Sequence, residues 1–268
     1  MLETYSLFAG LGLYAAATLA ALVNAARRRP GTGVVLLLVA AALSVHAVSI
    51  GLRWQRLDHG PYVDMFEVLS SNVWSLHAAV LAGVLLLPRL RALLPAVLPV
   101  LQILVAWLVT LEVRDTVFPV TYDTVWLPVH VLLGKAFLGI TVLSVGGSVV
   151  ILWRRCVAPA GFAALPSTKL LDEINFRLLL LAFVFECLML LAGAVWAQDA
   201  WGRYWDWDPL ETWSFLTWLA LAGYLHLRVT VRPPPEASAL AILAIFVIAF
   251  GTFFGMPFVS TAPHKGMI

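Results

Sequence analysis

The run Leu178-Leu-Leu-Leu-Ala-Phe-Val-Phe-Glu-Cys-Leu-Met-Leu-Leu-Ala-Gly-Ala-Val-Trp196 continues directly into Ala197-Gln-Asp-Ala-Trp-Gly-Arg-Tyr-Trp-Asp-Trp-Asp-Pro-Leu-Glu-Thr-Trp213. The first half carries a single charged residue, Glu186, and approaches the roughly 20 apolar residues that a helix needs to cross a bilayer. The second half, counted from Trp196, holds five of the chain's eleven tryptophans and Tyr204, interleaved with Asp199, Arg203, Asp206, Asp208 and Glu211. Many flat aromatic faces with few aliphatics suit a large, flat, partly apolar ligand at a membrane surface. They also suit an interfacial aromatic belt, although one or two rings are enough for anchoring.

The rest of the chain repeats the apolar half of that pattern. At 268 residues it is 62% hydrophobic and 12% charged, with a mean hydropathy of +0.92. Soluble domains carry about 25% charged residues. The expected fold is therefore all-α: one polytopic membrane domain over residues 1–268, with about eight transmembrane helices and an external tryptophan-rich segment at 196–213. The spacing predicts spans near 5–25, 33–53, 66–87, 94–112, 129–152, 177–198, 209–228 and 237–257. A loop containing Lys169, Asp172 and Glu173 is expected before the sixth. The first span lacks a basic n-region and a small-residue cleavage site, so it reads as a retained helix. The net charge of +2 gives no reason to expect nucleic acid, because the basic residues sit in short loops; lipid is the expected surrounding.

Those loops orient the chain. Arg27, Arg28, Arg29, Arg89, Arg91, Arg154, Arg155, Lys169, Arg177, Arg228 and Arg232 fall on one side, and Arg53, Arg56, Arg114, Arg203 and Lys265 on the other. The positive-inside rule places the first group in the cytoplasm and both termini outside. The tryptophan segment, Asp58-His59, the loop after residue 114 and the tail around His264 are then extracytoplasmic, and His59 is expected to be an exposed polar loop residue. Asp208-Pro209-Leu210-Glu211 reads as a helix start, with Asp as N-cap, Pro at the first helical position and Glu completing a capping box.

Trp196-Ala, Trp201-Gly-Arg-Tyr-Trp205, Trp207-Asp-Pro209 and Glu211-Thr-Trp213 resemble the tryptophan-rich "WWD" signature of the haem-handling cytochrome c assembly family. The likeness is closest to the CcsA/ResC branch, the integral-membrane half of the system II cytochrome c synthase. Leu191-Ala-Gly-Ala-Val-Trp196, Gly223-Tyr-Leu-His226-Leu-Arg228 and Arg53-Trp54…His59-Gly-Pro61…Phe66-Glu67 extend it over nearly the whole chain.

The resemblance implies that haem b is both substrate and ligand, lying against Trp201, Trp205 and Trp207. It matches His130, in Leu127-Pro-Val-His130, and His264, in the tail, to two external histidines that supply both axial ligands to an outer haem iron. Two interfacial histidines are the plainer reading of the same pair. Arg203 is a candidate partner for a haem propionate, since a guanidinium pairs bidentately with a carboxylate. His226 lies 18 residues beyond Asp208, about 27 Å along a helix, and cannot share that iron. The family match gives it a ligand role at an inner haem. His77, near mid-membrane, is a candidate for the second inner ligand, and a partner subunit is the alternative source. His46 lies nearer the outer face. Lys135 and Glu186 are the remaining charges within spans, a possible pair across adjacent helices; Lys135 also stands where it could meet a propionate.

The two cysteines, Cys156 and Cys187, are not expected on the outer face, and no Cys-x-x-Cys-His occurs. The chain is therefore not itself a c-type cytochrome, and a separate thiol reductant is implied. There is no Walker loop. The resemblance further implies a second membrane subunit of CcsB/ResB type and an apocytochrome c bearing Cys-x-x-Cys-His. Together they form a holocytochrome c synthase at a cytoplasmic or thylakoid-type membrane. A haem-binding regulator of haem biosynthesis, from a sister branch, is the second reading. A b-type electron-transfer cytochrome using His46, His77 and His226 is the third.

Overall fold

The computed structural model of the chain describes residues 1–27, 31–156 and 165–256. Eight α-helices succeed one another: α1 (Leu2–Ala26), α2 (Gly33–Leu57), α3 (Met65–Leu86), α4 (Leu94–Leu108), α5 (Trp126–Cys156), α6 (Thr168–Trp201), α7 (Pro209–Thr230) and α8 (Pro235–Phe250). Among the described residues there is no strand. Among the described residues, seven helical segments are long and apolar enough to cross a membrane, α4 counted with the 3-10 turn Pro88–Leu93 before it and α8 with the π turn Gly251–Gly255 after it. The eighth, α7, has the length at 22 residues, but Glu211, His226 and Arg228 lower its hydropathy. The chain is an all-α polytopic membrane protein.

Helix α5 is the centre of the bundle and packs against α3, α4, α6 and α8. Small residues allow the close approach: a Cβ at Gly139 would lie 2.4 Å from Ala79 Cβ on α3. Between membrane helices, such packing replaces the hydrophobic drive that lipid does not supply. Helices α1 and α2 pair along their length, and α7 lies outside, against α6 and α8.

Two expectations from the sequence are corrected. Lys169, Asp172 and Glu173 are not in a loop but in the opening turns of α6, whose N-cap Ser167 accepts from Leu170 N at 3.3 Å. The charges belong to a helix end, where Arg228 Nη2 donates to Asp172 Oδ2 at 2.6 Å and ties α7 to α6. His59 is 6% exposed rather than a surface residue. Its ring stacks on Phe118, and Nε2 lies 3.1 Å from Thr116 Oγ1, because the segment after α4 folds over it.

The same end of the bundle is laced by charges. Arg53 Nε donates to Glu67 Oε1 at 2.9 Å, and Arg56 reaches Glu3 at 3.0 Å and Asp115 at 2.7 Å. The start of α1, the α2–α3 turn and the segment after α4 therefore share one end. Tyr122 packs edge-on against Trp196 and Trp201, which puts the tryptophan segment there too.

Candidate functional site

The tryptophan segment begins as helix. α6 runs through Trp196 to Trp201 and stops at Gly202, whose φ of 78° is the left-handed conformation that ends helices. After the six residues 203–208, α7 starts at Pro209. Asp208 Oδ1 accepts from Glu211 N at 2.9 Å, and Glu211 Oε2 accepts from Asp206 N at 2.7 Å. This is a capping box whose return bond lands two residues before the cap. It fixes the loop that carries Trp205.

Beneath that loop, α3, α5, α6, α7 and the turn after α8 enclose a cavity with about 1170 Å³ of space free of protein atoms, counted out into the open solvent at its mouth. Its wall is mostly apolar, with Met65, Val68, Val131, Leu190 and Phe253 beside the aromatics Tyr62, Trp196, Tyr204 and Trp205. The polar groups in it are few: Ser71, Asn72, His130, Lys135, Glu211, Ser214 and Thr252. Phe253 and Thr252 reach it from a π-helical turn, Gly251–Gly255, that follows α8. Single π-turns recur at functional sites.

His130 is the best-positioned group in this wall. Its Nδ1 donates to Met189 O on α6 at 2.9 Å. A carbonyl only accepts, so Nδ1 carries the proton and Nε2 the lone pair, the form in which imidazole ligates a metal. The ring lies nearly parallel to Trp196, 6.1 Å between centroids at 15°, and Trp196 is itself 1% exposed. Gly193 lets the ring in: a Cβ there would lie 2.7 Å from His130 Nδ1. The parts that Gly193, the Met189 carbonyl and Trp196 play in placing this ring emerge only from the packing of α5 on α6.

The other residues singled out in the sequence are placed unequally. Trp205 lines the cavity, with Nε1 buried and lacking a hydrogen-bond partner. Trp201 packs against Trp196 and Tyr122. Trp207 is 67% exposed, set edge-on to Trp205 at 5.7 Å, and held at a φ of 58°. Arg203 Nη1 pairs with Asp206 Oδ1 at 2.5 Å and is not part of the cavity wall. His264 lies outside the described residues.

His77 and His226 are not brought together. His77 is fully buried on α3, its ring 3.9 Å from that of Tyr14 on α1, whereas His226 is exposed on α7. His46 joins the Tyr14 cluster, its Nε2 lying 2.9 Å from Ser70 Oγ. Lys135 and Glu186 form no ion pair with each other. Lys135 faces the cavity, and Glu186 is buried with neither carboxylate oxygen hydrogen-bonded.

Residues 38–261 match the family model described as Cytochrome C assembly protein. The chain belongs to that family. Its curated relatives include the cytochrome c biogenesis protein CcsA of Gloeobacter violaceus, 38% identical over 130 residues, which are 46% of this chain and 37% of the relative. CcsA of Cuscuta reflexa is 40% identical over 101 residues, 37% of this chain and 33% of the relative. These matches span little more than a third of the relatives' lengths. Among solved structures, the cytochrome c heme lyase CcmF superposes with a TM-score of 0.62 at 19% identity, covering 96% of this chain and 51% of CcmF. At that identity the likeness is one of fold, and it extends the helical arrangement over almost the whole chain.

Proposed function

We propose that this chain is the membrane subunit of a cytochrome c synthase. It receives haem b as substrate in the cavity between α3, α5, α6, α7 and the turn after α8 and presents it for covalent attachment to apocytochrome c. The observation that carries this reading is His130: a half-buried histidine, fixed with Nε2 as the lone-pair nitrogen, in the wall of a mostly apolar cavity that Trp205 also lines. Family membership and the CcsA relatives support the same reading.

In this account His130 supplies one axial ligand and His264, from the tail, the other. Trp205 forms a wall for the macrocycle; Trp207 abuts it at the rim, Trp201 backs Trp196, and Arg203 braces the loop through Asp206. The cavity mouth faces the extracytoplasmic side, and both termini lie on that side. An apocytochrome Cys-x-x-Cys-His segment docks at the mouth and its histidine replaces one axial ligand. Each thiol then adds across a vinyl group, sulfur to one carbon and hydrogen to the other, with no net redox change. A separate reductant must therefore deliver the cysteines as free thiols. The chain's contribution is positional, since holding thiol and vinyl in reacting geometry makes a bimolecular step effectively unimolecular.

His226, exposed on α7, is assigned to an inner haem whose second ligand comes from a CcsB-type membrane subunit packed alongside. His77, closed in between α1, α2 and α3, is out of its reach within this chain.

The test is genetic and biochemical. Deleting the gene is expected to abolish all covalent c-type cytochromes, read by haem staining of denatured membranes. His130→Ala is expected to fail to restore them. Normal c-type cytochromes in the deletion strain, with altered haem synthesis, would favour the regulator instead.

A further inference from the structure

Lys135 brings an amino group into the membrane-embedded part of α5, where its charged form is costly without a counter-ion. It forms no ion pair among the described residues. Its side chain lines the large cavity, while the interior acid Glu186 does not. Glu211, the acid in the same wall, already accepts from Asp206 N at the loop. The cavity thus contains a lysine with no ion pair among the described residues, in a lining that is otherwise mostly apolar.

Resting on the reading of the cavity as a haem site, we propose that Lys135 binds a carboxylate of the porphyrin and so sets which edge of the macrocycle enters first. Lys135 follows His130 by five residues, about 7.5 Å further along α5 into the bundle. With the iron at His130, the carboxylate-bearing edge then points inward, toward the Lys135 amino group. The opposite, vinyl-bearing edge turns to the mouth. The ammonium–carboxylate pair forms in a region of low dielectric, where each charge satisfies the other. Thiols arriving from outside then meet the vinyls rather than the propionates. Lys135 is a positioning residue: it orients the substrate and takes no part in bond formation.

The experiment compares iron protoporphyrin IX with its dimethyl ester, which keeps the ring and iron but has no free carboxylate. Both are titrated by Soret absorbance into the full chain, purified with its membrane partner. Wild type is expected to bind the free acid at least about tenfold more tightly than the ester, as a charge-assisted contact implies. Lys135→Met is expected to erase that preference, and Lys135→Arg to keep it. Equal affinity for the two porphyrins in wild type overturns the proposal before any substitution is made. An undiminished preference in Lys135→Met overturns it as well, and leaves the haem site standing. If wild type binds neither porphyrin, the haem site itself is refuted, and the anchor with it.

Discussion

His130 and His77 are fixed in the same way. Each donates Nδ1 to a helix carbonyl, Met189 O at 2.9 Å and Val73 O at 2.7 Å, and each ring stacks on an aromatic, Trp196 or Tyr14. The same tautomer results, with the lone pair on Nε2. The difference is space. His77 is 0% exposed, and its Nε2 is buried against protein without a hydrogen-bond partner. His130 stands in the wall of the open cavity beneath the Trp205 loop. Its carbonyl partner also lies on a second helix, whereas His77 bonds the preceding turn of its own. A ligand-ready histidine is therefore not by itself a site. What makes one is a neighbouring helix that both orients the ring and leaves room in front of it.

That contrast can be broken at several points. The largest effect is expected from His130→Ala, which should remove haem ligation in the outer cavity altogether, seen as loss of the low-spin Soret signature. Next comes Gly193→Val. Its side chain would claim the space of the His130 ring, and overpacking at about 1–3 kcal/mol implies haem affinity weaker by about tenfold or more in titration. Asp208→Ala removes the cap that fixes the Trp205 loop and should cost about 1 kcal/mol of stability, measured as a lowered unfolding midpoint. Its effect on haem affinity should be a few-fold, because Trp205 is loosened rather than removed. The smallest effect on haem is expected from His77→Leu. It replaces a buried polar ring without opening or closing the cavity, so the outer-site spectrum should match wild type.

The helical, membrane-spanning fold was legible from apolar runs of about bilayer length, which lipid requires wherever a chain crosses it. Helix ends were less so. Lys169, Asp172 and Glu173 looked like loop because they are charged, yet α6 buries Asp172 by pairing it with Arg228. The cap at Asp208 was readable because Asp-Pro-x-Glu satisfies backbone groups locally. The cavity was readable only in part. Trp205 and His130 bear the signature chemistry, but Gly193 and the Met189 carbonyl act through helix-to-helix distance, which no local pattern encodes. His59 was misplaced for the same reason: its burial comes from Thr116 and Phe118, more than fifty residues away in sequence.

The most direct test of the central claim, that the cavity binds haem through His130, is the absorption spectrum of the haem-titrated chain, purified with its partner, in three forms. Wild type and His77→Leu should show the same saturable outer-site Soret band, and His130→Ala should lack it. An unchanged band in His130→Ala, or its loss in a folded His77→Leu, would contradict the account.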